Sequence, residues 1–73
     1  MGRLGGFSYR DVITKLLKLG FEFYRQAKGS YEIYKNIQKN SYAVVPKHKE
    51  IKEGTLKAIL KQAEIDIDEF LEA

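Results

Sequence analysis

Two short turn-forming connections in succession constrain this chain more than any other feature. Lys28-Gly29 separates a run of alternating residues over 21–26 from a second over 30–36. Asn36-Ile37-Gln38-Lys39-Asn40, with asparagine at both ends, separates the second run from a third over 41–45. Parallel strands need a crossover of about a dozen residues or more, so runs this close must pair antiparallel, as a three-stranded meander. A period of two places Phe21, Phe23 and Arg25 on one face of the first strand and Glu22, Tyr24 and Gln26 on the other. On the second strand Tyr31, Ile33 and Lys35 share a face, and Glu32 and Tyr34 the opposite one. Pro46 gives no ladder donor and is expected to end the third strand.

A helical period flanks the meander on both sides. Over 8–19, Ser8 is an N-cap with Asp11 at the third helical position, Val12, Ile13, Leu16 and Leu17 form an apolar face, and Gly20 is the stop. Phe7 and Tyr9 are placed to brace the start of this helix. Thr55, Leu56, Ile59, Leu60 and Ala63 restore helical spacing after the charged connector 47–52, and Asp66-x-x-Glu69 reads as a capping box opening a short final helix. The expected fold is α+β in the order α-β-β-β-α, a three-stranded antiparallel sheet with both helices packed on one face, plus a short C-terminal helix. Val12, Leu16, Ile33, Leu56, Ile59 and Leu60 are the expected core. The five tyrosines and four phenylalanines are expected to serve that core rather than a binding surface.

Seventy-three residues make one domain, 1–73, with 1–7 as an N-terminal arm. With no cysteine and a single histidine, neither disulfides nor a Cys/His metal site is expected, and no metal or other cofactor. No apolar run approaches the ~20 residues that cross a bilayer, and the glycine-rich start lacks the apolar stretch of a signal peptide, so the expected location is cytoplasmic with no membrane partner. Charge is uneven. Residues 1–49 carry ten Lys and Arg against three Asp and Glu; residues 50–73 carry three against seven. A basic two-thirds beside an acidic tail suits either a polyanion partner or an unevenly charged solvated surface.

The residues beyond this point resemble a known family. Leu19-Gly20-Phe21, Arg25-Gln26-x-x-Gly29-Ser30, Val45-Pro46-x-His48 and Gly54-Thr55-Leu56-x-x-Ile59-Leu60-Lys61-Gln62-Ala63 are similar to the HicA-type toxins, mRNA interferases with a fold like that of double-stranded-RNA-binding domains. The resemblance runs roughly from Ser8 to Phe70. It implies an RNA-binding, metal-independent endoribonuclease, the toxin of a type II toxin–antitoxin pair, with mRNA and a cognate HicB-type antitoxin as partners. Two departures stand out. The family pattern after the first hairpin turn is Gly-Ser-His, with the histidine as proposed catalytic residue; here it is Gly29-Ser30-Tyr31. Glu64 stands where the family usually has a helix-ending glycine.

RNA cleavage without a metal needs a base for the 2′-hydroxyl, an acid for the leaving 5′-oxygen and donors for the charge on phosphorus. Histidine suits the proton steps, with a reference pKa of ~6.5, and tyrosine, near ~10, does not. The resemblance therefore implies catalytic positions at Tyr31 and, as second candidate, His48, with Arg25, Lys28, Gly29, Ser30 and Lys35 around Tyr31 as the RNA-binding set. Each has a plain alternative: Tyr31 as a good strand residue, His48 as a loop histidine, the cations as solubilising charge. Three accounts of Tyr31 fit: a degenerate natural member, a substitution that lets a toxic protein be expressed, or a tyrosine contributing by stacking or through its hydroxyl. A non-catalytic RNA-binding module keeping the fold, and an interaction protein docking through its acidic tail, are the rival readings. Gly5-Gly6 follows no strand and makes no phosphate loop.

Overall fold

The computed structural model describes residues 3–73. Its elements are α1 (Tyr9–Lys18), β1 (Phe21–Gln26), β2 (Tyr31–Asn36), β3 (Ser41–Pro46), α2 (Glu53–Ala63) and α3 (Ile67–Glu72). The sheet is an antiparallel meander in the order β1-β2-β3, the α+β fold with a short C-terminal helix expected from the sequence.

The local signals account for most boundaries. Ser8 is extended, accepts from the Asp11 amide, and receives the reciprocal bond from its own amide to the Asp11 carboxylate: a capping box. Gly20 ends α1 at φ 94°, and a Cβ there would meet the Asn36 side chain at 3.3 Å. Asn36 in turn donates to the Leu19 carbonyl and accepts from the Lys39 amide, tying the exit of α1 to the β2–β3 turn. Glu64 ends α2 in the left-handed region, φ 61°, doing a glycine's work with a side chain in place. Asp66 holds the N-cap position of α3, but no side-chain bond caps that helix; the second capping box does not form. Asp68 instead pairs with Arg3 at 2.6 Å. Pro46 is the last residue of β3 rather than the first beyond it: it sits opposite Tyr31, and the Lys47 amide supplies the next bond, to Ser30, at 2.7 Å.

One face of the sheet is covered by the helices. Phe21, Tyr34, Ala43 and Val45 meet Val12 and Leu16 of α1, Leu56, Ile59, Leu60 and Ala63 of α2, and Phe70 of α3 in one core. Part of the expected arm packs down: Leu4 is buried and Phe7 meets Phe70 edge to face, ring centres 5.3 Å apart, while Arg3, Gly5 and Gly6 are exposed. Ile33 is not in this core. Register puts it on the far face, half-buried, while Glu32, Tyr34 and Asn36 point inward. The inward carboxylate is satisfied: the Tyr9 hydroxyl donates to Glu32 and Tyr34 lies 3.4 Å from the same oxygen. Burial, and then the hydrogen bond to Glu32, push the Tyr9 phenol well above its ordinary range; burial is also the main cause of an upward shift at Tyr34.

Candidate RNA-processing cleft and open sheet face

The turn between β1 and β2 is built tightly. Gly29 takes φ 69°, the Ala27 amide donates to the Tyr31 carbonyl, and the Gln26 side-chain amide donates to the same carbonyl at 3.0 Å. Tyr31 follows at once and is 47% exposed. From the other side, the connector after β3 is anchored at three points: the Lys47 amide on Ser30, the Lys49 carbonyl on the Tyr9 amide, and the Ile51 amide on the Phe7 carbonyl. Residue 48 is therefore held between two fixed segments.

The result is a cleft of about 400 Å³ whose lining includes Tyr31, Pro46, His48, Glu50, Thr55 and Gln62. Tyr31 and His48 come from positions 17 apart in the chain and border the same space. Glu50 adds a carboxylate to the rim, so the cleft is not purely basic. Thr55, Ala58 and Gln62 enter from α2, which packs mainly along β3.

The expected cations separate into two groups. Lys28, with Gly29 and Ser30, belongs to the turn before Tyr31 and is exposed. Arg25 reaches the open face through a β-bulge. Pairing runs Phe23↔Tyr34, then Arg25↔Ile33, so the strict alternation that grouped Arg25 with Phe21 and Phe23 fails. Lys35 does not adjoin Tyr31. It lies four residues along the same strand, about 13 Å at the usual strand rise, with its ammonium 5.5 Å from the ring centre of Tyr24 and 5.4 Å from that of Tyr42.

Those two tyrosines were not among the expected site residues. Both are exposed, as are Phe23 and Tyr31, so four of the aromatics expected in the core are not there. For Tyr42 the available signal was the register itself: once Lys35 faces outward, its partner Tyr42 must too.

Among the described residues no group of three or more His, Cys, Asp or Glu could hold a metal ion, and no helix is long and apolar enough to cross a membrane. No curated protein matches the chain. A family does: the HicA toxin of bacterial toxin–antitoxin systems, over residues 9–65. The match takes in α1, the whole meander, the His48 connector and α2, the elements that frame the cleft. The chain belongs to the HicA toxin family.

Proposed function

We propose that this toxin is an mRNA-cleaving endoribonuclease scaffold whose proton-transfer chemistry is impaired at position 31. The observation that carries the reading is that Tyr31 and His48 line one cleft, beside a turn that exposes Lys28. RNA would enter with a phosphate near the Gly29-Ser30 turn, Lys28 and Arg25 meeting backbone charge. The group at position 31 would exchange a proton with the 2′-hydroxyl or the leaving oxygen. A phenol does this poorly near neutrality and an imidazole well. His48 is the second proton-exchanging candidate, and its placement across the cleft fits either an acid role or a phosphate contact. A HicB-type antitoxin would silence the protein by covering this cleft, and the expected setting is the cytoplasm, where mRNA is met.

The test is cleavage of a long unstructured RNA by the parent, Tyr31→His and Tyr31→Ala. Tyr31→His should be faster than the parent by roughly 10²–10⁴-fold, the usual scale of general acid–base catalysis, with a rate that changes with pH across the imidazole range. Equal rates for all three would remove position 31 from the chemistry. The second reading, a non-catalytic RNA-binding module, is favoured by Tyr31 itself. It predicts RNA affinity in all three proteins and cleavage in none.

A further inference from the structure

We propose that Tyr24, Tyr42 and Lys35 form a stacking subsite for one unpaired base of single-stranded RNA, separate from the cleft at Tyr31. The inference rests on the RNA-cleaving reading and specifies how the substrate is held.

The rings of Tyr24 and Tyr42 come from strands at opposite edges of the sheet and meet over β2, centres 5.8 Å apart and inclined at 64°. They remain 52% and 37% exposed. The core is mostly aliphatic, with Phe21, Tyr34 and Phe70 its buried aromatics, and two large rings left partly in water call for a partner. Lys35 sits between them on β2, its ammonium within 6 Å of both ring centres. That distance is a cation–π contact; it orders the rings and leaves a positive charge beside them.

The partner's chemistry follows from the surroundings. Arg25 reaches this face through the bulge and, with Tyr24, Ile33, Tyr42, Val44 and Gln62, lines a hollow of about 420 Å³. Glu22, opposite Lys35 in the register, is the one acid on this side of the two strands. Two partly exposed rings with a cation over them and Arg25 nearby suit a base and its phosphate better than an acidic or purely apolar protein surface. The base must be unpaired, because a base inside a duplex has both faces already stacked.

Position supports the same substrate. The hollow and the Tyr31 cleft share Val44 and Gln62 in their linings, so the two spaces adjoin. The roughly 13 Å between Lys35 and Tyr31 along β2 exceeds the ~3.4 Å rise of one stacked nucleotide. The platform therefore grips a base a few nucleotides away from the phosphate in the cleft and fixes how the strand lies.

The test measures binding of a short 2′-O-methylated single-stranded oligonucleotide, which cannot be cleaved, and of the same sequence as a duplex. Proteins are the parent, Tyr24→Ala, Tyr42→Ala, Tyr24→Phe, Tyr42→Phe and Lys28→Ala, each checked for an unchanged circular dichroism spectrum. Each alanine variant should bind the single strand roughly 5- to 150-fold more weakly, the scale of one lost base stack. The phenylalanine variants, which keep the ring, should bind like the parent. The slope of log affinity against log salt should drop in Lys28→Ala only. Duplex affinity should not respond to either tyrosine. If the folded alanine variants bind the single strand as the parent does, the subsite is wrong and the ribonuclease reading stands. A parent with no affinity for either RNA at low salt overturns both.

Discussion

Save at the bulge in β1, the two faces of the sheet are made from alternate residues of the same three strands, and both are rich in aromatic and polar side chains. Their fates differ. On the covered face, Glu32 is 8% exposed and is met by the hydroxyls of Tyr9 and Tyr34, and Asn36 is met by the Leu19 carbonyl and the Lys39 amide. On the open face, Lys35 is met by the rings of Tyr24 and Tyr42, and Tyr31 borders a cleft. Polarity does not decide which face is inside. Glu32 and Asn36 sit inside with partners that reach them, although the buried Ser41 hydroxyl on the same face has none among the described residues.

That contrast can be broken from the covered side first. Leu60→Ala should lower stability by about 2–5 kcal/mol, read from the denaturation midpoint at unchanged slope, because Leu60 is 1% exposed within the shared core. A midpoint that hardly moves would mean that α2 is rotated from its described register. Tyr9→Phe should cost about 1–3 kcal/mol, since it removes the strongest partner of a buried carboxylate; a neutral outcome would show that Glu32 finds solvent. On the open face, Lys35→Ala should change stability by within about 1 kcal/mol, the scale of a surface cation–π contact. If it costs as much as Leu60→Ala, the two faces are not different in kind.

The buried phenols sharpen the comparison through pH. Their pKa values are raised in the folded protein, against ~10 in an unfolded chain. The proton is held more tightly when folded, so this contribution is fully present below pH ~10 and is lost as pH rises through the higher folded values. Chemical denaturation should show no effect from this source between pH 6 and 9 and a declining stability above 10. Tyr9→Phe should flatten that decline. The smallest effect is expected at Glu64. Replacing it with glycine relieves a left-handed residue but frees the unfolded chain, leaving a gain of at most about 1 kcal/mol; a loss would show that the Glu64 side chain contributes.

The sequence carried the topology because its signals are local: two tight turns, a capping box at Ser8 and Asp11, an apolar helical stripe from Leu56 to Ala63. Five of the six expected core residues are buried. Ile33 is the exception, and the reason is not local. A strand reading Tyr-Glu-Ile-Tyr-Lys-Asn turns its most apolar residue outward and its glutamate inward, where Tyr9, 23 positions away, supplies Glu32 with a hydrogen bond. The bulge at Tyr24 is equally silent in composition, and it changes the face of Arg25. Of the candidate positions marked by motif, Tyr31 and His48 are brought to one cleft by the structure. The pairing of Tyr24 with Tyr42 was not legible, because it depends on β1 and β3 lying either side of β2, and on which residues of each strand turn outward.

The hydrogen bond from the Lys47 amide to the Ser30 carbonyl gives the cleft a clock. It is the stitch between the turn that presents Tyr31 and the loop that presents His48, and it crosses no other element. Whenever that loop lifts, the amide proton is released to solvent; whenever it returns, the proton is shielded. Deuterium uptake at this one amide thus counts the fraction of time the two halves are assembled, independently of RNA and of any turnover. The amides of Ile59 and Leu60, inside α2, are expected to exchange only with opening of the whole domain.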